Sequence, residues 1–287
     1  MVDRNYLRQL AAPFDERGMS FAHPGHTPST ADEAALLVRN DHEPHVAMAA
    51  TEKIKFAWDA VKATDNLHGD IVEVGVYKGG TSMVMAYSLL HAARESKPSR
   101  SIWLFDTFEG LPPPGPQDDS RAHRKWNSME AQKNVNTTLP FLRGQPYVDR
   151  DGKPRWNYGP LDLVQRNMRS TGFPPSMLKF VKGKVEETLT DPANVPQSIS
   201  VLRLDTDFFS STKTELSILF PRLVNGGILI VDDYCTWRGA KRAVDEFLVE
   251  NGHILRNITR RGALCFKAVK AGERPSIAVL RPATAAS

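Results

Sequence analysis

Ser200-Val-Leu-Arg-Leu-Asp205-Thr-Asp207 and Gly227-Ile-Leu-Ile-Val-Asp232-Asp233-Tyr234 are two short runs of Val, Ile and Leu, each ending in paired aspartates. Continuous apolar runs of this length read as strands buried on both faces, as in a parallel sheet covered by helices. Between them lies Thr212-Lys-Thr-Glu215-Leu-Ser-Ile-Leu-Phe-Pro-Arg-Leu, with a Thr-x-x-Glu capping box at its start and Asn225-Gly-Gly after its end. Strand, helix, strand makes the two strands parallel and brings their aspartates out at one edge, where open sheets of this kind bind ligands. Four carboxylates gathered there repel one another unless protonated or neutralised by a cation. An oxygen-rich, sulfur-free cluster suits a hard ion such as magnesium or calcium; the alternative is a set of solvated loop acids and helix caps.

Working outward, the same design recurs upstream. Asp70-Ile-Val-Glu73-Val-Gly75-Val-Tyr77-Lys-Gly79-Gly80-Thr81-Ser82 reads as a strand (71–76) passing through glycines into a helix, a turn that lets a cofactor approach backbone and helix N-terminus. It is not the Gly-x-Gly-x-x-Gly of dinucleotide enzymes. Ser101-Ile-Trp-Leu-Phe-Asp106 is a second strand ending in an acid, placed to accept hydrogen bonds from ribose hydroxyls. Residues 112–160 are rich in Pro, Gly, Asp and Arg and poorly periodic, and read as a lid-like insertion. Trp126, Tyr147, Trp156 and Tyr158 within it either stack on a sugar or ring substrate or simply anchor the loop. Further strands are expected at 177–182, 253–258 and 263–269, with helices over 161–168, 185–189 and 239–250. Before the core, Thr30-Ala-Asp-Glu33 is another capping box, and Pro44 opens a longer helix.

This predicts an α/β fold with a doubly wound, seven-stranded sheet closed by a terminal antiparallel hairpin, the Rossmann-like arrangement of class I methyltransferases. Residues 1–66 form an N-terminal arm with cap helices, 67–270 the main domain with the 112–160 insertion, and 271–287 a tail. The chain carries 37 basic and 33 acidic residues, too even and too scattered a balance to indicate nucleic acid. Two cysteines and no C-x-x-C pair point to a reduced, cytoplasmic compartment. No apolar run approaches the ~20 residues that span a membrane, and the first residues lack the apolar core of a signal peptide.

Glu73-Val-Gly-Val-Tyr-Lys-Gly-Gly-Thr81, Asp106-Thr-Phe-Glu-Gly-Leu-Pro112, Leu202-Arg-Leu-Asp-Thr-Asp207 and Ile230-Val-Asp-Asp-Tyr234, in this order and spacing, resemble the macrocin O-methyltransferase family. The resemblance covers roughly residues 66–260. It implies a magnesium- and S-adenosylmethionine-dependent enzyme that methylates a sugar hydroxyl on a glycosylated natural product, and a homo-oligomer. Carried onto this sequence, it implies Asp205, Asp232 and Asp233 as magnesium ligands and Asp207 as general base. It further implies that Glu73, Gly75, Tyr77, Gly79, Thr81 and Ser82 surround the methionine part of the cofactor. Asp106 and Phe108 would serve its nucleoside, with Val185 and Asp205 also at the cofactor.

If the strand persists through Asp207, Asp205 and Asp207 project to one face about 6–7 Å apart. A metal ion would lower the pKa of a bound hydroxyl and fix it in line with the methyl group. Three rivals stand beside this. A metal-dependent glycosyltransferase would use Asp205-Thr-Asp207 as its Asp-x-Asp motif, but needs neither the Asp232-Asp233 pair nor the glycine turn. A nicotinamide oxidoreductase lacks its glycine fingerprint, and a non-catalytic binding protein has no use for the full set of acids.

Overall fold

The computed structural model describes residues 27–38, 51–93, 98–133, 147–148, 154–251 and 264–267. In chain order its elements are α1 (Ala31–Val38), α2 (Thr51–Ala63), β1 (Asp70–Val74), α3 (Gly80–Ala93), β2 (Ile102–Asp106), α4 (Ser120–Lys133), β3 (Tyr147–Val148) and β4 (Pro154–Arg155). They continue with α5 (Leu161–Ser170), β5 (Leu178–Lys182), α6 (Val185–Thr188), β6 (Ile199–Leu204), α7 (Phe209–Ile218), β7 (Leu223–Val231), α8 (Arg238–Glu250) and β8 (Leu264–Lys267). One sheet has the order β5-β2-β1-β6-β7-β8, with β8 antiparallel to β7 and the other five strands parallel. The chain steps from β1 towards β5 on one side and from β6 towards β8 on the other. The topological switch point therefore lies between β1 and β6, the place where such sheets open a crevice for ligands.

The apolar runs form these strands because both faces find a covering layer. Every residue of β6 is buried. Along β7, Ile228 and Ile230 join the core under α2 and α3, while Leu229 and Val231 join the one under α7 and α8. Each such side chain contributes roughly 1.5–3 kcal/mol when fully buried. The cap helices belong to the first layer, since α2 sends Ile54, Ala57, Trp58 and Val61 into it.

The capping box at Thr30 forms with its return bond shifted by one residue: Glu33 N–H donates to Thr30 Oγ1 at 3.2 Å, and Glu33 Oε2 accepts from Ser29 N–H at 2.9 Å. The one expected at Thr212 does not form. Helix α7 begins at Phe209, so Thr212 lies inside it, and Glu215 is a buried interior residue whose Oε1 accepts from Thr206 Oγ1 at 2.8 Å. The expected continuation of the strand through Asp207 also fails. Strand β6 stops at Leu204, and Asp207 takes a left-handed backbone with φ 67°. The 112–160 segment holds a full helix, α4, hidden in the sequence by its polar composition and started by Asp119, whose Oδ1 accepts from Ala122 N–H at 2.9 Å. The strand expected at 253–258, the start of the helix at Pro44, residues 1–26 and the tail fall outside the described residues. Among the described residues, no helix is long and apolar enough to cross a membrane.

Candidate active site

The turn after β1 is held from two sides. Gly75, at φ 85°, lies so close to β6 that a Cβ would meet the carbonyl oxygen of Asp205 at 2.0 Å, so only glycine fits. Asp106, at the end of β2, reaches under the turn. Its Oδ2 accepts from the backbone N–H of Val76 (2.7 Å) and Tyr77 (3.0 Å), and its Oδ1 from that of Phe108 (2.8 Å). Burial pushes the Asp106 carboxyl up, and these amide donors oppose the shift. Tyr77 and Phe108 both take left-handed backbone conformations, φ 55° and 54°, at the ends of neighbouring strands. Such strain persists where surrounding structure enforces it, and it is common at ligand sites.

Glu73 points under the turn, where its carboxylate accepts from Ser82 Oγ and pairs with Arg203 (Nη1 to Oε1, 2.5 Å). Arg203, only 2 % exposed at its side chain, also places Nη2 at 2.8 Å from both Asp205 Oδ2 and Asp232 Oδ1. Burial alone would lower the guanidinium's pKa, but Asp205, Asp232 and Glu73 reverse that and lift it well above its ordinary value. Lys53 of α2 supplies a second cation, its Nζ donating to the Asp232 carboxylate and, at 3.1 Å, to the Asp232 main-chain oxygen. Part of the charge that the acid pairs demanded is thus neutralised by the protein itself.

The neutralisation is incomplete. Carboxylate oxygens of Asp205, Asp207 and Asp233 lie within 4.8 Å of one another, and Asp233 Oδ2 is buried without a hydrogen-bond partner. Burial raises the carboxyl of Asp207 to about 7, against a hydrogen bond shared with Asp233 and with the charge of Asp205 adding to the rise. Burial and the charges of Asp207 and Asp232 raise Asp233 well above the carboxylate range. An orphaned buried oxygen among converging hard donors fits a divalent oxygen-seeking cation. The grouping differs from the expected ligand set. Asp207 stands with Asp205 and Asp233, whereas both oxygens of Asp232 are engaged by Arg203 and Lys53.

A cavity of about 440 Å³ joins the two regions, its wall including Gly75, Tyr77, Asp106 and Val185 as well as Asp205, Asp207, Asp232 and Asp233. Glu73, Gly79, Thr81, Ser82 and Phe108 lie off its wall. The inserted segment forms the roof. Asp118 Oδ1 accepts from Phe209 N–H at 2.8 Å, fastening the start of α4 to α7, and a Cβ on Gly159 would meet Tyr77 O at 1.9 Å. Trp156 packs edge-on against Phe208 (6.0 Å) and Trp237 (5.7 Å), each only a few per cent exposed, so Trp156 anchors the insertion. Lys125 lies over the Trp156 ring at 4.4 Å; burial lowers its ammonium pKa, and the charges of Asp207 and Asp233 oppose that. Sequence reasoning missed Lys53, Lys125, Arg203 and Trp237. Only Arg203, a charge inside a fully buried strand, carried a visible signal.

Residues 39–139 and 151–262 match the sequence profile of macrocin O-methyltransferase (TylF). The chain belongs to this family. It is 31% identical over 184 residues to demethyldecarbamoylnovobiocin O-methyltransferase of Streptomyces niveus, covering 64% of this chain and 59% of that protein. To the 8-demethyl-8-(2,3-dimethoxy-alpha-L-rhamnosyl)-tetracenomycin-C 4'-O-methyltransferase of Streptomyces olivaceus it is 31% identical, covering 66% of this chain and 61% of that one. The matches thus span about three-fifths of these relatives' length. Among solved structures, the O-methyltransferase NovP superposes with a TM-score of 0.62 at 23% identity, covering 93% of this chain and 99% of that one, which shows a shared methyltransferase fold.

Proposed function

We propose that this macrocin O-methyltransferase family member transfers the methyl group of S-adenosylmethionine to a hydroxyl of a glycosylated natural product, with a divalent ion, magnesium by preference, at its acid cluster. The observation that carries the proposal is the joining of two unlike regions by one cavity. A braced glycine turn at the sheet's switch point lies at one end, and converging carboxylates lie at the other. S-adenosylmethionine, when bound, supplies an electrophilic methyl on a sulfonium centre. The Gly75–Tyr77 turn and Val185, which line the cavity, would hold it, with Asp106 fixing the turn. A divalent ion, when held by Asp205 and Asp233, lowers the pKa of an alcohol and orients it.

Asp207 is the residue we assign as general base. It would accept the hydroxyl proton that methyl transfer from the sulfonium to the acceptor oxygen releases. Burial raises the Asp207 carboxyl above its ordinary value, which favours proton acceptance, and a divalent ion held beside it would oppose that rise. Orientation contributes too, because a roof anchored at Asp118 and Gly159 leaves an acceptor little freedom. The family profile, with Asp205-Thr-Asp207 inside its matched residues, weighs against the glycosyltransferase alternative. The rhamnosyl group in the name of the tetracenomycin relative supports a sugar hydroxyl as acceptor. A homo-oligomer in the cytoplasm completes the proposal.

The test is a screen of glycosylated acceptors with methyl-labelled cofactor, with and without chelator. Label transfer that stops with chelator and returns with magnesium is expected. Transfer indifferent to chelator removes the ion from the scheme. No cofactor binding in calorimetry, with binding of a nucleotide sugar instead, would sink the methyltransferase assignment.

A further inference from the structure

Among the described residues, Lys53 is the one residue before β1 that reaches the cavity wall. It stands in the first turn of α2, whose Ile54, Ala57, Trp58 and Val61 are locked into the core, so the backbone that carries it is fixed. Its side chain is 13% exposed, and its ammonium contacts both the carboxylate and the main-chain oxygen of Asp232. The other Asp232 oxygen accepts from Arg203. The two cations differ in kind. Arg203 is clamped by Glu73, Asp205 and Asp232 in the interior, whereas Lys53 is a compact charge at the end of a flexible four-carbon stem.

We propose that Lys53 is a tethered cation that holds Asp232 until a divalent ion competes for it, so that ion affinity at the acid cluster is set by a residue of helix α2. This rests on the metal-dependent reading above. An ion arriving between Asp205 and Asp233 meets the Lys53 ammonium as a like charge, and gains the Asp232 oxygen that Lys53 holds only if the ammonium moves off. Lys53 is therefore a positioning residue acting through Asp232. Its removal has a signature that loss of a merely structural contact lacks: the ion binds more tightly.

The experiment is calorimetric titration of the full chain with Mn²⁺, without acceptor or cofactor. The variants are Lys53→Met, Lys53→Gln and Lys53→Arg, with Asp233→Asn as the binding-deficient control. The expected result is that Lys53→Met and Lys53→Gln bind Mn²⁺ about tenfold more tightly than wild type. Lys53→Arg, which keeps the charge, should stay within about threefold of wild type. In EDTA the neutral variants should melt below wild type, and Mn²⁺ should close that gap. Two neutral variants guard against one that folds poorly. If wild type binds Mn²⁺ and both neutral variants bind it equally or more weakly, the role given to Lys53 is overturned while the metal reading stands. If wild type binds no Mn²⁺, the metal reading falls, and this proposal with it.

Discussion

Asp106 and Asp233 are both aspartates at the carboxyl edge of one sheet, yet they meet opposite circumstances. Asp106 is served by three backbone N–H groups and braces the turn beside it. Asp233 has a buried oxygen with no donor, and Asp207 and Asp232 are its charged neighbours. The turn end of the cavity is thus complete in itself, with Asp106 spent on holding backbone. At the carboxylate end, Arg203 and Lys53 engage Asp232 and leave one Asp233 oxygen without a partner. A buried acid of this kind is neutralised by a proton or by a cation, and the converging oxygens of Asp205, Asp207 and Asp233 make this the end where a divalent ion can take the proton's place.

The contrast can be broken most severely at Gly75. Gly75→Ala places a methyl against the Asp205 backbone at a left-handed φ, and should cost more than about 4 kcal/mol. The expected outcome is loss of cooperative thermal unfolding, and a normal melting curve would refute the close approach. At the carboxylate end, Asp207→Asn should lower methyl transfer by about 10²–10⁴-fold if Asp207 is the proposed base. Calorimetry should find its affinity for S-adenosylhomocysteine within a few-fold of wild type, and near-normal turnover would remove Asp207 from the base role.

Asp106→Asn tests the other end. An amide has one accepting oxygen where three N–H groups must be served, so the variant should lose about 1.5–3 kcal/mol of turn stability. Weaker S-adenosylhomocysteine binding with unchanged Mn²⁺ affinity is expected, and equal damage to both would erase the distinction between the regions.

A further effect, read in pH rather than in turnover, concerns Glu215, whose carboxyl burial raises from 4.5 to about 8. The stability it confers is fully present below pH 4.5 and is lost as pH rises through 8, because the unfolded chain releases the proton earlier. Glu215→Gln has no proton to lose. Measured in EDTA, its melting temperature should match wild type near pH 4.5 and exceed it increasingly towards pH 8.5. Parallel curves would show that Glu215 ionises freely in the folded chain.

Much of this was legible in the chain itself. The apolar runs ending in Asp205 and Asp232 read as buried parallel strands because they are short, rich in Val, Ile and Leu, and separated by a helix-length segment. Gly75 was legible as a turn glycine, though its necessity comes from Asp205 O, a neighbour remote in sequence. Helix α4 was not legible, because its few apolar residues, Ala122 and Met129 among them, pack against Trp156 and Trp237 rather than forming a long stripe of their own. Glu215 looked like a helix cap by spacing. Its burial decided otherwise, since α7 starts three residues before Thr212 and turns that side chain to Thr206.

What the sequence determined alone is the succession of parallel strands and the edge to which the acids come, because hydrophobic periodicity and the handedness of crossovers are local or nearly local properties. Only the tertiary structure decided which acids are already paired. Asp232 meets Lys53 across 179 positions and Glu73 meets Arg203 across 130, and no spacing rule reaches that far. Charge compensation in a buried site depends on distance in space, and folding alone sets that distance.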